Sequence, residues 1–123
     1  MNRLTNLCRP IGSALVLMLA TVPAALAHAH PTVMQPGPDS IGPAPNSISI
    51  TFSEAVEPKF SSIQLSDEKG KTVDSQASRP KPNDPKTLIL AVPKLTAGTY
   101  IVRWVNVAVD GHRLEGSYKF IVQ

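Results

Sequence analysis

The chain has 123 residues, with 12 Lys plus Arg, 9 Asp plus Glu and a formal net charge of +3. Arg3 and Arg9 lie in an N-terminal stretch that reads as an export signal; without it, ten basic residues face nine acidic ones, a net of +1. That balance excludes a basic nucleic-acid surface, and the single cysteine, Cys8, lies in the same stretch, so the remainder has neither a disulfide framework nor a thiolate metal site.

The first 27 residues read MNRLTNLCRPIGSALVLMLATVPAALA. Arg3 and Arg9 give a positive start, and Ile11 to Val22 is largely apolar, interrupted by Gly12, Ser13 and Thr21. Pro23 breaks the run, and Ala25-Leu26-Ala27 places small residues at the two positions a signal peptidase reads. The apolar stretch is shorter than the roughly 20 residues a membrane span needs. Cys8 precedes that run, so it is not placed like a lipoprotein cysteine. The pattern predicts a cleaved signal peptide over 1–27. It leaves a single secreted domain over 28–123, large enough to bury a core.

Pro31 to Pro45 holds five prolines and two glycines, which predicts extended or looped chain without helix. In NSISITFSE, Ile48, Ile50 and Phe52 alternate with Ser49 and Thr51, the mark of a half-buried strand. KFSSIQLS repeats the pattern with Ile63 and Leu65. DEKGK at 67–71 is a turn in which Gly70 supplies conformational freedom. SQASRPKPNDP at 75–85 predicts a polar, proline-rich loop, and KTLILAV a buried strand. LTAGTYIVRWVNVAV is a turn and a long strand with Tyr100, Val102 and Trp104 on one face, which places all three in the core. VDGHRLEG predicts a connection, and SYKFIVQ a closing strand with Tyr118, Phe120 and Val122 on one face. No helical period of useful length occurs. Short strands at roughly ten-residue spacing predict an all-β sandwich or barrel.

Hydrolase and nucleotide chemistry find little support: the chain has no G-x-S-x-G elbow and no phosphate-binding glycine loop. Metal chemistry remains. A cut after Ala27 would make the new terminus His28-Ala29-His30. A free α-amine titrates near about 8, so giving its proton up to a metal near neutral pH costs little. Amine and His28 ring together form a two-nitrogen clamp, and nitrogen-rich tetragonal coordination favours Cu(II). The same residues permit a second mode, in which the amine, two deprotonated amides and the His30 ring wrap the ion in a square plane. The remaining histidine lies in VDGH, where Asp110 and His112 would share one face of an extended segment. The alternatives are a tight Asp-Gly turn followed by an exposed His112, and a solvated terminus carrying His28 and His30.

Taken together, these residues resemble the CopC family of periplasmic copper-binding, copper-resistance proteins, over essentially the whole of 28–123. His28 is followed eight residues later by Pro36; a strand ends in Phe52-Ser53-Glu54 and runs into AVEPKFSS; LTAGTYIVRW ends in Trp104; and VDGHRLEGSYKFIV carries the D-x-H pair and the last strand. The resemblance implies a seven-stranded Greek-key β-sandwich or barrel, immunoglobulin-like in build. It also implies one Cu(II) ion per chain, bound by the amine and ring of His28 with Asp110 and His112. The His28-to-Pro36 spacing favours the cut after Ala27. His30 is counted among the candidate metal residues, since some relatives also begin H-x-H, with the alternative that it sits near the site without binding in the resting state. Glu54 matches a family position near the copper-binding end and is not expected to be a ligand. Some members carry a methionine-rich Cu(I) site; residues 28–123 contain one methionine, Met34, so no Cu(I) site is expected.

The expected function is copper sequestration in the periplasm or delivery to an inner-membrane CopD-type protein, by a non-enzymatic monomer that neither spans the membrane nor binds nucleic acid. One rival is a copper-dependent oxidative enzyme, because an N-terminal histidine brace also serves polysaccharide-cleaving oxidases. A metal-free adhesion sandwich is another, and it leaves the histidine clustering unexplained.

Overall fold

The computed structural model describes residues 28–73 and 76–123. The signal peptide expected over 1–27, with Cys8, lies outside the described residues. Among those described there are eight strands and no helix: β1 (Pro31–Gln35), β2 (Ile41–Gly42), β3 (Ser47–Phe52), β4 (Ser62–Asp67), β5 (Arg79–Lys81), β6 (Asp84–Ala91), β7 (Gly98–Val107) and β8 (Arg113–Val122). They form two four-stranded sheets, ordered β1-β3-β6-β5 and β2-β8-β7-β4. The chain changes sheet repeatedly, so strands adjacent in sequence often face each other across the core. All pairings are antiparallel except β2 with β8. The all-β sandwich expected from the alternation is what forms.

The core follows the period-two pattern. Ile48, Ile50 and Phe52 of β3, Leu88 and Leu90 of β6, Ile63 and Leu65 of β4, Val102 of β7 and Phe120 and Val122 of β8 are all buried between the sheets. Tyr100 is buried too; it stacks on Phe120 at 5.7 Å between ring centroids and donates its hydroxyl to the Thr96 carbonyl at 2.7 Å. Trp104 packs against this core, edge to face with Phe52 at 5.6 Å. Tyr118 is half-buried against it, its hydroxyl lacks a hydrogen bond among the described residues, and burial pushes its phenol up to about 12. These placements match the core expected of Tyr100, Trp104 and Tyr118.

Three segments differ from expectation. Among the described residues the strand count is eight where the resemblance implies seven, and the proline-rich start supplies two of them, β1 and the two-residue β2. The loop expected over 75–85 contains a hairpin: β5 pairs with β6 around Pro82 and Asn83, with Asn83 in the left-handed region at φ 62. Pro80 is tolerated because β5 is a sheet edge, where a missing amide breaks no ladder. The last strand begins at Arg113, so the connection expected over VDGHRLEG shrinks to residues 108–112.

Candidate metal centre

The end of β7, the start of β8, the end of β3 and the entry to β1 meet at one end of the sandwich. β7 and β8 stay paired to Val107 and Arg113. Beyond that pair, the Ala108 amide donates to the His112 carbonyl at 2.9 Å and the Gly111 amide to the Ala108 carbonyl at 2.9 Å. This is a tight turn, and it needs Gly111 at φ 90, a conformation that costs glycine little. The extended D-x-H segment is therefore not present; the Asp-Gly turn is. The turn nevertheless brings the two side chains together. Asp110 Oδ1 accepts the His112 amide at 3.0 Å, and Oδ2 lies 3.0 Å from His112 Nδ1. The second contact is a close approach without the alignment of a hydrogen bond. The His112 amide above all, helped by its ring, holds the Asp110 carboxyl below its ordinary 3.8. Asp110 is thus an anion at neutral pH. His112 is half-buried, its side chain 42% exposed, instead of fully exposed.

The N-terminal residues reach this turn from the other sheet. The Ser53 amide donates to the His30 carbonyl at 2.9 Å, which extends the β1–β3 ladder by one step. Ala29 is 1% exposed, a core residue, and its carbonyl accepts the Asn106 side-chain amide at 2.6 Å. With Ala29 fixed, His28 projects over the turn: its ring meets that of His112 edge to face, centroids 5.0 Å apart and planes at 85°.

His30 points elsewhere. Its amide donates to Ser53 Oγ at 3.2 Å, and its Nδ1 lies 3.1 Å from the His28 carbonyl oxygen and 3.3 Å from Ser53 Oγ. A carbonyl only accepts, so the contact with it places the proton on Nδ1. The structure therefore joins His28, Asp110 and His112 and sets His30 apart from them. Glu54 follows Ser53 directly, half-buried.

Among the described residues, no group of three or more His, Cys, Asp or Glu side chains is already arranged to hold a metal. Separately, in the 123-residue chain the His28 nitrogen is an amide bonded to Ala27, so the amine of the expected clamp is not among the donors. The donors that do exist suit a nitrogen-preferring dication, with two imidazoles and one anionic carboxylate on one surface. A groove of about 450 Å3 runs beside Met34, Trp104 and Tyr118 and includes no histidine. A single ion does not require a cavity of that size.

Sequence reasoning missed Ser53 and Asn106, the two side chains that hold the N-terminal residues. Asn106 had a signal: it occupies an inward position of β7, in step with Tyr100, Val102 and Trp104, where an apolar residue is the rule.

Comparison with known proteins bears on the whole arrangement. A family model described as CopC domain matches residues 32–123. The chain is 34% identical over 115 residues to copper resistance protein C of Escherichia coli, covering 87% of this chain and 90% of that one. It is 32% identical over 124 residues to protein YobA of Escherichia coli K12, covering 98% and 100%. The crystal structure of CopC from Methylosinus trichosporium OB3b superposes with a TM-score of 0.73 at 31% identity, covering 78% of this chain and 94% of that one. With its two-sheet sandwich, its sequence and its family match in agreement over nearly all of the described residues, this chain belongs to the CopC family.

Proposed function

We propose that the protein is a copper-resistance protein that binds one Cu(II) ion in the periplasm, after removal of residues 1–27, and sequesters it or passes it to a CopD-type membrane protein. The meeting of the His28 and His112 rings at 5.0 Å, beside Asp110, carries this reading. In the processed chain the His28 amine and ring supply two nitrogens, His112 a third, and Asp110 an oxygen near the metal. His30 is a neighbour, occupied with Ser53 and the His28 carbonyl. The carboxylate offsets part of the charge of the dication. Protons compete for every nitrogen donor, so binding weakens as pH falls.

The role is binding rather than catalysis. Tyr100 is buried and Trp104 and Tyr118 pack against the core, and the groove beside the last two includes no histidine, so these three rings make no sugar platform at the copper end. The membrane partner and the monomeric state stand with this reading. Among the described residues no helix is long and apolar enough to cross a membrane.

The decisive experiment uses protein exported and processed in cells. Its intact mass identifies the first residue, and competition with a chelator measures Cu(II) binding, beside a variant with one extra residue before His28. A chain starting at His28 should bind one copper tightly, and the extended variant should lose that binding. Equal binding by both would sink the reading, because the amine would then have no part in it.

A further inference from the structure

A terminus of His28-Ala29-His30 can hold Cu(II) in two ways, and the fold has to choose between them. The clamp uses the amine and ring of His28. The wrap uses the amine, the deprotonated amides of Ala29 and His30, and Nδ1 of His30, all in one plane. A free peptide of this sequence has nothing to prevent the wrap.

The folded chain does. Asn106 is 1% exposed and gives its side-chain amide to the Ala29 carbonyl at 2.6 Å. Its orientation is fixed by chemistry: a carbonyl can only accept, so the NH2 must face it, and Oδ1 is left to the Ser61 hydroxyl at 3.5 Å. Ser61 is itself tied to the strand, accepting the Val107 amide at 3.0 Å. Ala29 is thereby fixed in the core, and His30 follows with its amide on Ser53 and its Nδ1 turned to the His28 carbonyl. To form the wrap, the Ala29–His30 peptide would have to rotate out of this position. That would strand a buried donor on Asn106, which costs more than an ordinary lost hydrogen bond.

We propose that Asn106 is a positioning residue that selects the mode of copper binding, holding Ala29 so that His28 meets His112 and the amide wrap is denied. This rests on the Cu(II) reading above. It acts at a distance, since Asn106 contacts the peptide that presents the donors.

The test is spectroscopic, on processed protein starting at His28. Asn106→Leu has similar volume and no donor; Asn106→Ser is too short to reach Ala29 and stands in if the leucine variant does not fold. Wild-type protein should give the electron paramagnetic resonance of a site with three nitrogens and one oxygen. The variant should change to a four-nitrogen square-planar spectrum, with the d–d band moved to higher energy and the change growing as pH rises and amides ionise. Adding His30→Ala to the variant should abolish the new spectrum, whereas His30→Ala alone should leave the wild-type spectrum in place. Without metal, the nuclear Overhauser contact between the His28 and His112 rings should vanish in the variant. A folded variant that keeps the wild-type spectrum and ring contact overturns the proposal. So does one that loses copper without gaining the four-nitrogen spectrum, since Asn106 would then serve the fold alone. Wild-type protein that binds no Cu(II) counts against the proposed function instead, and the metal-free ring contact still decides the role of Asn106.

Discussion

Gly116 lies directly under the indole of Trp104. A Cβ at Gly116 would sit 2.6 Å from Cζ2, 2.8 Å from Cε2 and 3.0 Å from Nε1 of that ring. The two residues are partners in the β7–β8 register, and the ring reaches over the glycine towards Phe52. Gly116→Ala should therefore destabilise by overpacking, by about 1–3 kcal/mol. Urea unfolding followed by the fluorescence of the single tryptophan measures it. Gly42→Ala is the control: nothing lies within 4 Å of its Cβ, so its midpoint should stay within about 0.5 kcal/mol of wild type.

Asp110 and His30 should separate sharply in a copper titration. Asp110→Asn removes the anion and loosens the turn that places His112, and Cu(II) affinity should fall by about 10–100-fold, as for groups that orient metal ligands. His30→Ala should leave affinity within about twofold, one rotamer contact apart from the site. Competition with a chelator reads both. Loss of affinity only in the histidine variant would reverse their assigned roles.

Acid stability should report Asp84. Its carboxyl is held below the ordinary 3.8 chiefly by the Thr87 hydroxyl, which donates to Oδ2 at 2.6 Å, and then by the Lys86 amide at 3.1 Å. A depressed carboxyl binds its proton more readily in the unfolded chain. Its contribution is therefore complete above 3.8 and is lost as pH falls through the lower folded-state value. Asp84→Asn should flatten that part of the acid limb in a thermal melt series while leaving the neutral-pH slope alone. Thr87 also meets Thr51 across the β3–β6 pair at 2.8 Å, so Thr87→Val should do the same and cost stability at neutral pH as well.

Copper-loaded protein given a reductant should not oxidise polysaccharide or a chromogenic phenol beyond the rate of free copper. Product analysis over many equivalents is the check. Sustained turnover would favour the oxidase rival over a binding protein.

Alternation made the sandwich legible. Ile48, Ile50 and Phe52, or Tyr100, Val102 and Trp104, fall on one face because a strand has period two, and each did pack inward. The β5–β6 hairpin was hidden because prolines read as loop, and only the tertiary fact that β5 is an edge makes Pro80 compatible with a strand. His28, Asp110 and His112 were legible as donor types. Their meeting was legible only through family likeness, since it depends on a turn at Gly111 and on two sheets closing. Ser53 left no signal, because most of its partners are backbone groups; Asn106 left one, a polar side chain at an inward position of β7, but nothing in that signal names the Ala29 carbonyl it holds.

The burial of Ala29 has a consequence for timing. Its neighbour His28 follows the bond that the signal peptidase is expected to cut. A protease needs that bond in an open, extended strand of chain, and in the closed sandwich the second residue beyond it, Ala29, is held in the core. On the proposed reading, in which residues 1–27 are removed, the cut is expected to come before this end of the sandwich closes. On the same reading, a molecule that closes first keeps an amide where the amine should be and is expected to leave copper unbound there. Two copies with the same 96 carboxy-terminal residues would then differ in competence only by which of two clocks ran faster.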